Sequence, residues 1–345
     1  MKASFYQYTL SELQALFLAH SLPPTGPGKL FNWHYKNRRF EPCVTDLAKT
    51  TQDFLIQNLS FDLPKIDLVQ QSEDRTVKFL LELADGKKVE TVLIPSNRKY
   101  GICLSSQVGC AMKCSFCHTG LQGLSRHLQA HEIVGQLLAV QRWLSTERPG
   151  KDQISSLVFM GQGEPLHNFD AVRRACEIFL SQHGLSLAGD KITISTAGYL
   201  PGLKRWKAEM PAVNIALSLH STDKAKRDEL IPINAIYPLE QVLELVEQIP
   251  KSRKRFVVYE YLLVKGFNDS VEDARSLGQA LQGKRAFVNL IPFNPYPGSK
   301  YQRPAASVVD SFKAELDTVG VPALVRFTKG QDILAACGQL NSKSI

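Results

Sequence analysis

The spacing of apolar residues along the chain changes twice, and the changes divide it. Residues 10–19 and 45–59 carry apolar positions at helical spacing, and 30–35 open another short helix. Between them, Pro23-Pro24-Thr25-Gly26-Pro27-Gly28 reads as a break. Residues 1–65 are therefore expected to form a small helical unit. Over 66–95 the period falls to two. Strand-like runs at 76–83 and 88–94 flank Asp85-Gly86, a strong hairpin signal.

A regular alternation then fills residues 96–334. Apolar runs at 101–105, 156–160, 191–195, 213–219, 255–263 and 286–292 alternate with helical patterns at 130–144, 170–182, 202–209, 239–249, 271–281 and 307–319. Six strand–helix pairs predict an α/β fold of parallel strands joined by right-handed crossovers. They are too few for a closed eight-stranded barrel. An open partial (β/α)6 barrel is the expected result, although a flat doubly wound sheet would give the same periodicity. In both, active groups gather at the C-terminal strand ends. Residues 335–345 remain as a tail.

The strand ends carry the chemistry. After the first strand stand Cys110, Cys114 and Cys117, a CxxxCxxC spacing. A [4Fe–4S] cube ordinarily takes four thiolates. Three close cysteines leave one iron open, able to hold S-adenosylmethionine (SAM) and pass it an electron. The competing reading is a zinc knuckle. Zinc prefers four ligands, and His118, directly after Cys117, reaches back poorly. Phe116 either shields the cluster or packs in the core. After the second strand comes Met160-Gly161-Gln162-Gly163-Glu164-Pro165, where the glycines permit close backbone approach and Glu164 can accept from an ammonium group. Ser195, Ser218, His220 and Asn294 close later strands. Each alone reads as a loop or capping residue, and their shared placement raises them. His220 reads as a catalytic base or, more readily, as a residue that orients a ligand.

Composition narrows the rest. With 44% hydrophobic and 21% charged residues, an ordinary globular core is expected, and no apolar run is long enough for a membrane helix. No signal-peptide pattern is visible at the N-terminus, so a cytoplasmic, membrane-free protein is expected. The seven cysteines are odd in number and unevenly spaced, unlike a disulfide scaffold, and Cys43 and Cys176 read as structural thiols. The net charge of +8 suits a polyanionic partner. Trp33, His34 and Tyr35 interleave with Lys36, Arg38 and Arg39, a pattern that suits RNA or a solvated basic face over a buried Trp. Lys251, Arg253, Lys254 and Arg255 read as a second basic cluster or a solvated connection. Glu90, in an apolar strand, reads as solvent-facing, and the pattern gives it no role.

Taken together, Val89-Glu90-Thr91-Val92, Cys103-Leu-Ser-Ser-Gln-Val-Gly-Cys110, Gly163-Glu164-Pro165-Leu166, Ser218-Leu219-His220 and Ala336-Cys337-Gly338-Gln339-Leu340 resemble the RlmN/Cfr family of radical SAM RNA methyltransferases, over most of the chain. The resemblance implies a radical SAM barrel, a [4Fe–4S] cluster on Cys110, Cys114 and Cys117, and SAM contacted by Gly163, Glu164, Ser195, Ser218, Leu219, His220 and Asn294. It implies that Cys337 first receives a methyl group, which a SAM-derived radical then activates for addition to an adenine ring carbon. Glu90 would take the ring proton, and Cys103 would release the product by forming a disulfide with Cys337. The implied substrate is adenosine in 23S rRNA, and for some members tRNA, with C2 favoured over C8, the position whose methylation brings antibiotic resistance. A reducing system for electrons and for the disulfide is implied, and a monomer is expected. Two positions depart from the family pattern: His118, where alanine is usual, and Gln162, where methionine is frequent. An activase or mutase on a non-RNA substrate, and a non-enzymatic metal-bearing RNA-binding module, are the alternatives from other classes.

Overall fold

A computed structural model describes residues 2–41, 46–96, 99–148, 150, 153–252 and 255–342. Cys43, Thr45, Arg253 and Lys254 lie outside them. In the N-terminal unit a short strand β1 (Ala3–Ser4) precedes helices α1 (Leu10–Ala19), α2 (Gly26–Phe31) and α3 (Lys49–Asn58), and β1 pairs in parallel with β2 (Leu59–Ser60). Helix α1 starts where a capping box allows: Thr9 Oγ1 accepts from Glu12 N, and Glu12 Oε2 accepts from Thr9 N. The expected break at residues 23–28 is shorter than its glycines and prolines imply. Pro27 fits the first turn of α2, where a missing N–H costs nothing. At Gly26 a Cβ would stand 2.2 Å from Phe17 Cε1, so this glycine serves helix packing and not a turn. Phe5, Tyr6, Phe31 and Tyr35 form an aromatic core. His34 and Tyr35 are buried in it, so two of the rings proposed for RNA stacking are spent on folding. Trp33 lies under the Arg39 guanidinium, 4.8 Å from its centroid.

Strands β3 (Lys65–Gln71), β4 (Val77–Glu82) and β5 (Lys88–Ser96) form an antiparallel meander, with Gly86 at φ 76° in the predicted turn. β5 pairs with β6 (Lys99–Cys103), so the hairpin continues into the main sheet. Two short strands, β7 (Gln107–Gly109) and β8 (Leu124–His127), bracket the cysteine loop and pair with each other. Then come α4 (Ala130–Glu147), β9 (Ile154–Phe159), α5 (Phe169–Leu180), β10 (Ile192–Thr196), α6 (Leu200–Glu209) and β11 (Asn214–Ser218). The chain ends with α7 (Lys224–Leu230), α8 (Leu239–Glu247), β12 (Val257–Leu263), α9 (Val271–Leu281), β13 (Ala286–Pro292), α10 (Ala306–Thr318) and β14 (Ala323–Val325).

The main sheet has the order β14-β13-β12-β11-β10-β9-β6-β5-β4-β3. Every pair from β6 to β14 is parallel. This is the α/β sheet of parallel strands and helical crossovers that the periodicity predicts, with β14 as a strand the sequence pattern did not announce.

Period two decides which side chains meet the helices. Ile102, Leu157, Phe159, Ile192, Ile194, Ile215, Leu217, Tyr259, Tyr261, Val288 and Leu290 belong to the large helix-packed core. Their neighbours in sequence, among them Cys103, Met160, Ser195, Ser218, Glu260 and Ile291, line cavities on the opposite face.

The entry to the cysteine loop depends on a glycine. Gly109 has φ +76°, and a Cβ there would lie 1.9 Å from the Gly123 carbonyl oxygen. Gly109→Ala is expected to cost at least ~2 kcal/mol, through backbone strain and steric displacement. Thermal denaturation checks this, and an unshifted midpoint contradicts it.

Candidate active site

Two adjacent cavities, of about 130 and 110 Å³, open on the inner face of the sheet. Cys110, Cys114, Cys117, Gly163, Glu164, Ser195, Ser218 and His220 line the first. Cys103, Asn294, Arg326 and Lys329 line the second. Met160, Glu260, Ile291, Cys337 and Leu340 belong to both. Cys337, a free cysteine exposed as a residue but with burial around its sulfur pushing the thiol up to about 12, thus stands on the wall between three thiols on one side and Cys103 on the other. A larger groove, about 840 Å³, lies between the N-terminal unit and α4, and none of the candidate residues lines it.

The cysteine loop is fixed by its own backbone. Cys117 N donates to Cys114 O, Gly120 N to Cys117 O, and Ser115 N to Leu230 O. Three soft sulfur donors share one cavity wall, a donor set that suits a multi-iron cluster. Burial pushes Cys110 up to about 12, and Cys114 and Cys117 also rise. Such thiols gain from a metal that takes their protons' place. Phe116 lines the same cavity and meets the His220 ring edge to face at 4.9 Å.

Glu164 is held through both its backbone and its carboxylate. Its N donates to Gln107 Oε1, while its carboxylate accepts from Leu166 N at 3.0 Å and Ala197 N at 2.8 Å. Burial still raises it from 4.5 to about 7. The glycines beside it answer to packing and not only to a ligand. A Cβ at Gly161 would stand 2.7 Å from Leu104 O, and one at Gly163 2.6 Å from Gln107 Cβ.

His220 has φ 59°, and its Nδ1 accepts from Leu262 N at 3.0 Å. Burial, with Arg227 beside it, lowers it to about 3. It is a neutral ring whose one N–H is Nε2, a donor suited to orienting a ligand. Leu219 differs from the other candidates. Its side chain lies in the helix-packed core and its backbone N donates to Glu260 O, so it brings no side chain to either cavity. Asn294 is engaged with the tail: its Nδ2 donates to Cys337 O at 3.3 Å.

Glu90 is not solvent-facing. It is fully buried, with Oε1 2.9 Å from Lys78 Nζ, because Lys78 on the neighbouring strand supplies the counter-charge. Neither carboxylate oxygen takes a hydrogen bond of good geometry, so acceptor capacity is unused. Glu90 shares its strand face with Val92 and Ile94, which line the second cavity, though Glu90 itself does not line it.

The tail and the segment leading into it are tied from many sides. Ser72 Oγ donates to Asp332 Oδ1 at 2.6 Å, and Gly330 N to Asp74 Oδ2 at 3.0 Å. His118 N donates to Gly338 O, Thr119 Oγ1 to Leu340 O, Asn341 Nδ2 to His118 Nε2, and Gln162 Nε2 to Ser342 Oγ. The two departures from the family pattern therefore both contact the segment carrying Cys337.

The family model described as "Radical SAM superfamily" matches residues 104–277. "Probable dual-specificity RNA methyltransferase RlmN" of Aquifex aeolicus is 41% identical, covering 98% of this chain and 97% of that protein. "Dual-specificity RNA methyltransferase RlmN" of Rhodopseudomonas palustris is 42% identical over 92% of this chain and 82% of that protein. The chain belongs to the RlmN family of radical SAM RNA methyltransferases. A crystal structure of a radical SAM methyltransferase from Sphaerobacter thermophilus superimposes with a TM-score of 0.90, at 35% identity, covering 99% of both chains. Membership in the RlmN family implies a [4Fe–4S] cluster and SAM, which the three-thiol wall and the buried acceptor Glu164 suit.

Two residues of this RlmN-family site were missed from the sequence. Glu260, its Oε1 accepting from Asn289 Nδ2 at 2.9 Å, lines both cavities. Arg227, buried, donates to Ser218 O at 2.8 Å, Leu219 O, Ala197 O and Asn234 Oδ1 and so fixes two strand ends. Among the described residues no helix is long and apolar enough to cross a membrane.

Two predictions follow from this geometry. The folded chain holds the Glu164 proton more tightly than the unfolded one. Its contribution is therefore fully present below pH 4.5 and is lost as pH rises through about 7. The loss amounts to about 3 kcal/mol. Urea denaturation at pH 5 and pH 8 before cluster loading should show a smaller loss for Glu164→Gln than for wild type; equal losses refute the assignment. His118→Ala should speed iodoacetamide labelling of Cys337, read by peptide mass spectrometry, about tenfold if one tail hydrogen bond near 1.4 kcal/mol is lost. An unchanged rate refutes the anchoring role.

Proposed function

We propose that the chain methylates C2 of adenosine in RNA, with 23S rRNA and tRNA as substrates, through a methyl group carried on Cys337. The observation that carries this reading is the place of Cys337, on the wall common to both cavities. A thiol so placed can take carbon on one side and deliver it on the other. An aromatic C–H carbon is a poor nucleophile, so direct displacement on SAM does not suffice. Bound together, the cluster and SAM supply a methyl group and the reducing power that makes a carbon radical.

In this reading Cys110, Cys114 and Cys117 hold the cluster. Glu164 accepts from the SAM ammonium, which favours its carboxylate form. Gly163, Ser195, Ser218 and His220 complete the SAM seat, Leu219 contributes through its backbone alone, and Asn294 positions both cofactor and tail. Glu90 receives the proton leaving the adenine ring, through its unused lone pairs. Once the ring has given its unpaired electron back to the reducing system, Cys103 as thiolate attacks the Cys337 sulfur; an S–S bond forms as the carbon–sulfur bond to the RNA breaks, and the carbon keeps that electron pair and takes a proton to become the methyl group. An external thiol returns two electrons to that disulfide. Residues 1–65 and the 66–95 hairpin serve as an accessory unit beside a 96–334 core, with 335–345 as the carrier tail. A monomer in the cytoplasm completes the proposal.

The test is nucleoside mass spectrometry of rRNA and tRNA treated with anaerobically reconstituted protein, SAM and reductant. 2-Methyladenosine is expected from wild type and none from Cys337→Ala. Cys103→Ala should retain RNA covalently bound to protein. Methylated product from Cys337→Ala at the wild-type rate sinks the carrier mechanism, and 8-methyladenosine in place of 2-methyladenosine corrects the ring position.

A further inference from the structure

Phe327 is 86% exposed, the most exposed of the large apolar side chains among the described residues. Scattered exposed apolar residues are ordinary, and Leu18 at 82% is one. Phe327 differs in its place. Of the exposed large hydrophobic residues it alone lines either of the two cavities that meet at Cys337.

Its exposure does not come from a slack segment. Arg326 N donates to Leu290 O at 2.8 Å, Thr328 Oγ1 to Asn294 Oδ1 at 2.8 Å, Arg303 Nη1 to Thr328 Oγ1 at 3.0 Å, and Gly330 N to Asp74 Oδ2 at 3.0 Å. The backbone is tied on both sides of the ring. Arg326 and Lys329, both exposed, flank it and line the same cavity. Lys329 Nζ stands 3.9 Å from Asp74, a loose surface pair.

An aromatic face held in water between two cations has the chemistry of a site for single-stranded nucleic acid. The ring stacks on a base of any identity, and the cations meet the flanking phosphates. We propose that Phe327 is the platform on which an unpaired base next to the target adenosine stacks, while Arg326 and Lys329 neutralise the adjoining phosphates. This rests on the RNA reading above, and adds a residue that grips the substrate outside the reacting atoms. Stacking there would help hold the target base splayed into the second cavity.

The experiment measures RNA binding by the cluster-loaded protein, with a 23S rRNA fragment as probe, together with KM and kcat for methylation. Phe327→Ala should raise Kd and KM about tenfold to a hundredfold, with kcat at saturating RNA changed far less. Phe327→Trp should restore binding and Phe327→Leu should not, which separates stacking from apolar cover. Leu18→Ala, equally exposed and away from both cavities, should bind RNA as wild type does. The proposal is overturned if Phe327→Ala stays within twofold of wild type, or if Leu serves as well as Trp. A wild-type chain that modifies no RNA fails the underlying reading, a result distinct from a wild type that works and a variant that works equally well.

Discussion

A parallel strand buried on both faces must divide its side chains between two environments. Here one register packs on helices and the other is left for chemistry, and the whole site follows from that division. Tyr259 and Tyr261 join the helix-packed core while Glu260 between them lines both cavities. The same step of one residue places Cys103 beside Ile102 and Ser218 beside Leu217. A one-residue slip in any of these strands would exchange a reactive group for an aliphatic or aromatic one. The apolar core therefore sets the position of the site as well as the stability of the sheet.

Burial of polar groups is the cost of this arrangement, and the fold answers it locally. Arg227, almost without water contact, donates to three carbonyls and one amide oxygen at the ends of adjacent elements. Glu164 accepts two backbone N–H groups. Glu90 takes its counter-charge from Lys78 on the next strand. The partners lie diagonally: Leu80 stands opposite Glu90, and Lys78 opposite Val92.

Much of this was legible in the sequence. The alternation of periods placed the six strand–helix pairs, and the polar residues closing each strand marked the end where the cavities lie. What escaped had a common cause, since partners far apart in sequence decided it. β14 has three residues, too few to carry a pattern. Arg227 sits in a charged stretch that reads as solvated, and only the strand ends above it explain its burial. Glu90 reads as outward-facing until Lys78 is placed beside it. His34 and Tyr35 look like a binding surface among basic residues, yet Phe5, Phe31 and Phe61 draw both into a core. The Gly161 and Gly163 positions are set by Leu104 and Gln107 behind them, which no local motif displays.

The tail contacts join very distant parts of the chain: Ser72 to Asp332 spans 260 positions and Thr119 to Leu340 spans 221. During synthesis both receiving surfaces leave the ribosome long before the segment that docks on them. Both surfaces are thus outside the ribosome while the segment that docks on them is still being made. Of the cysteines that line the two cavities, Cys337 is the last to be added to the chain.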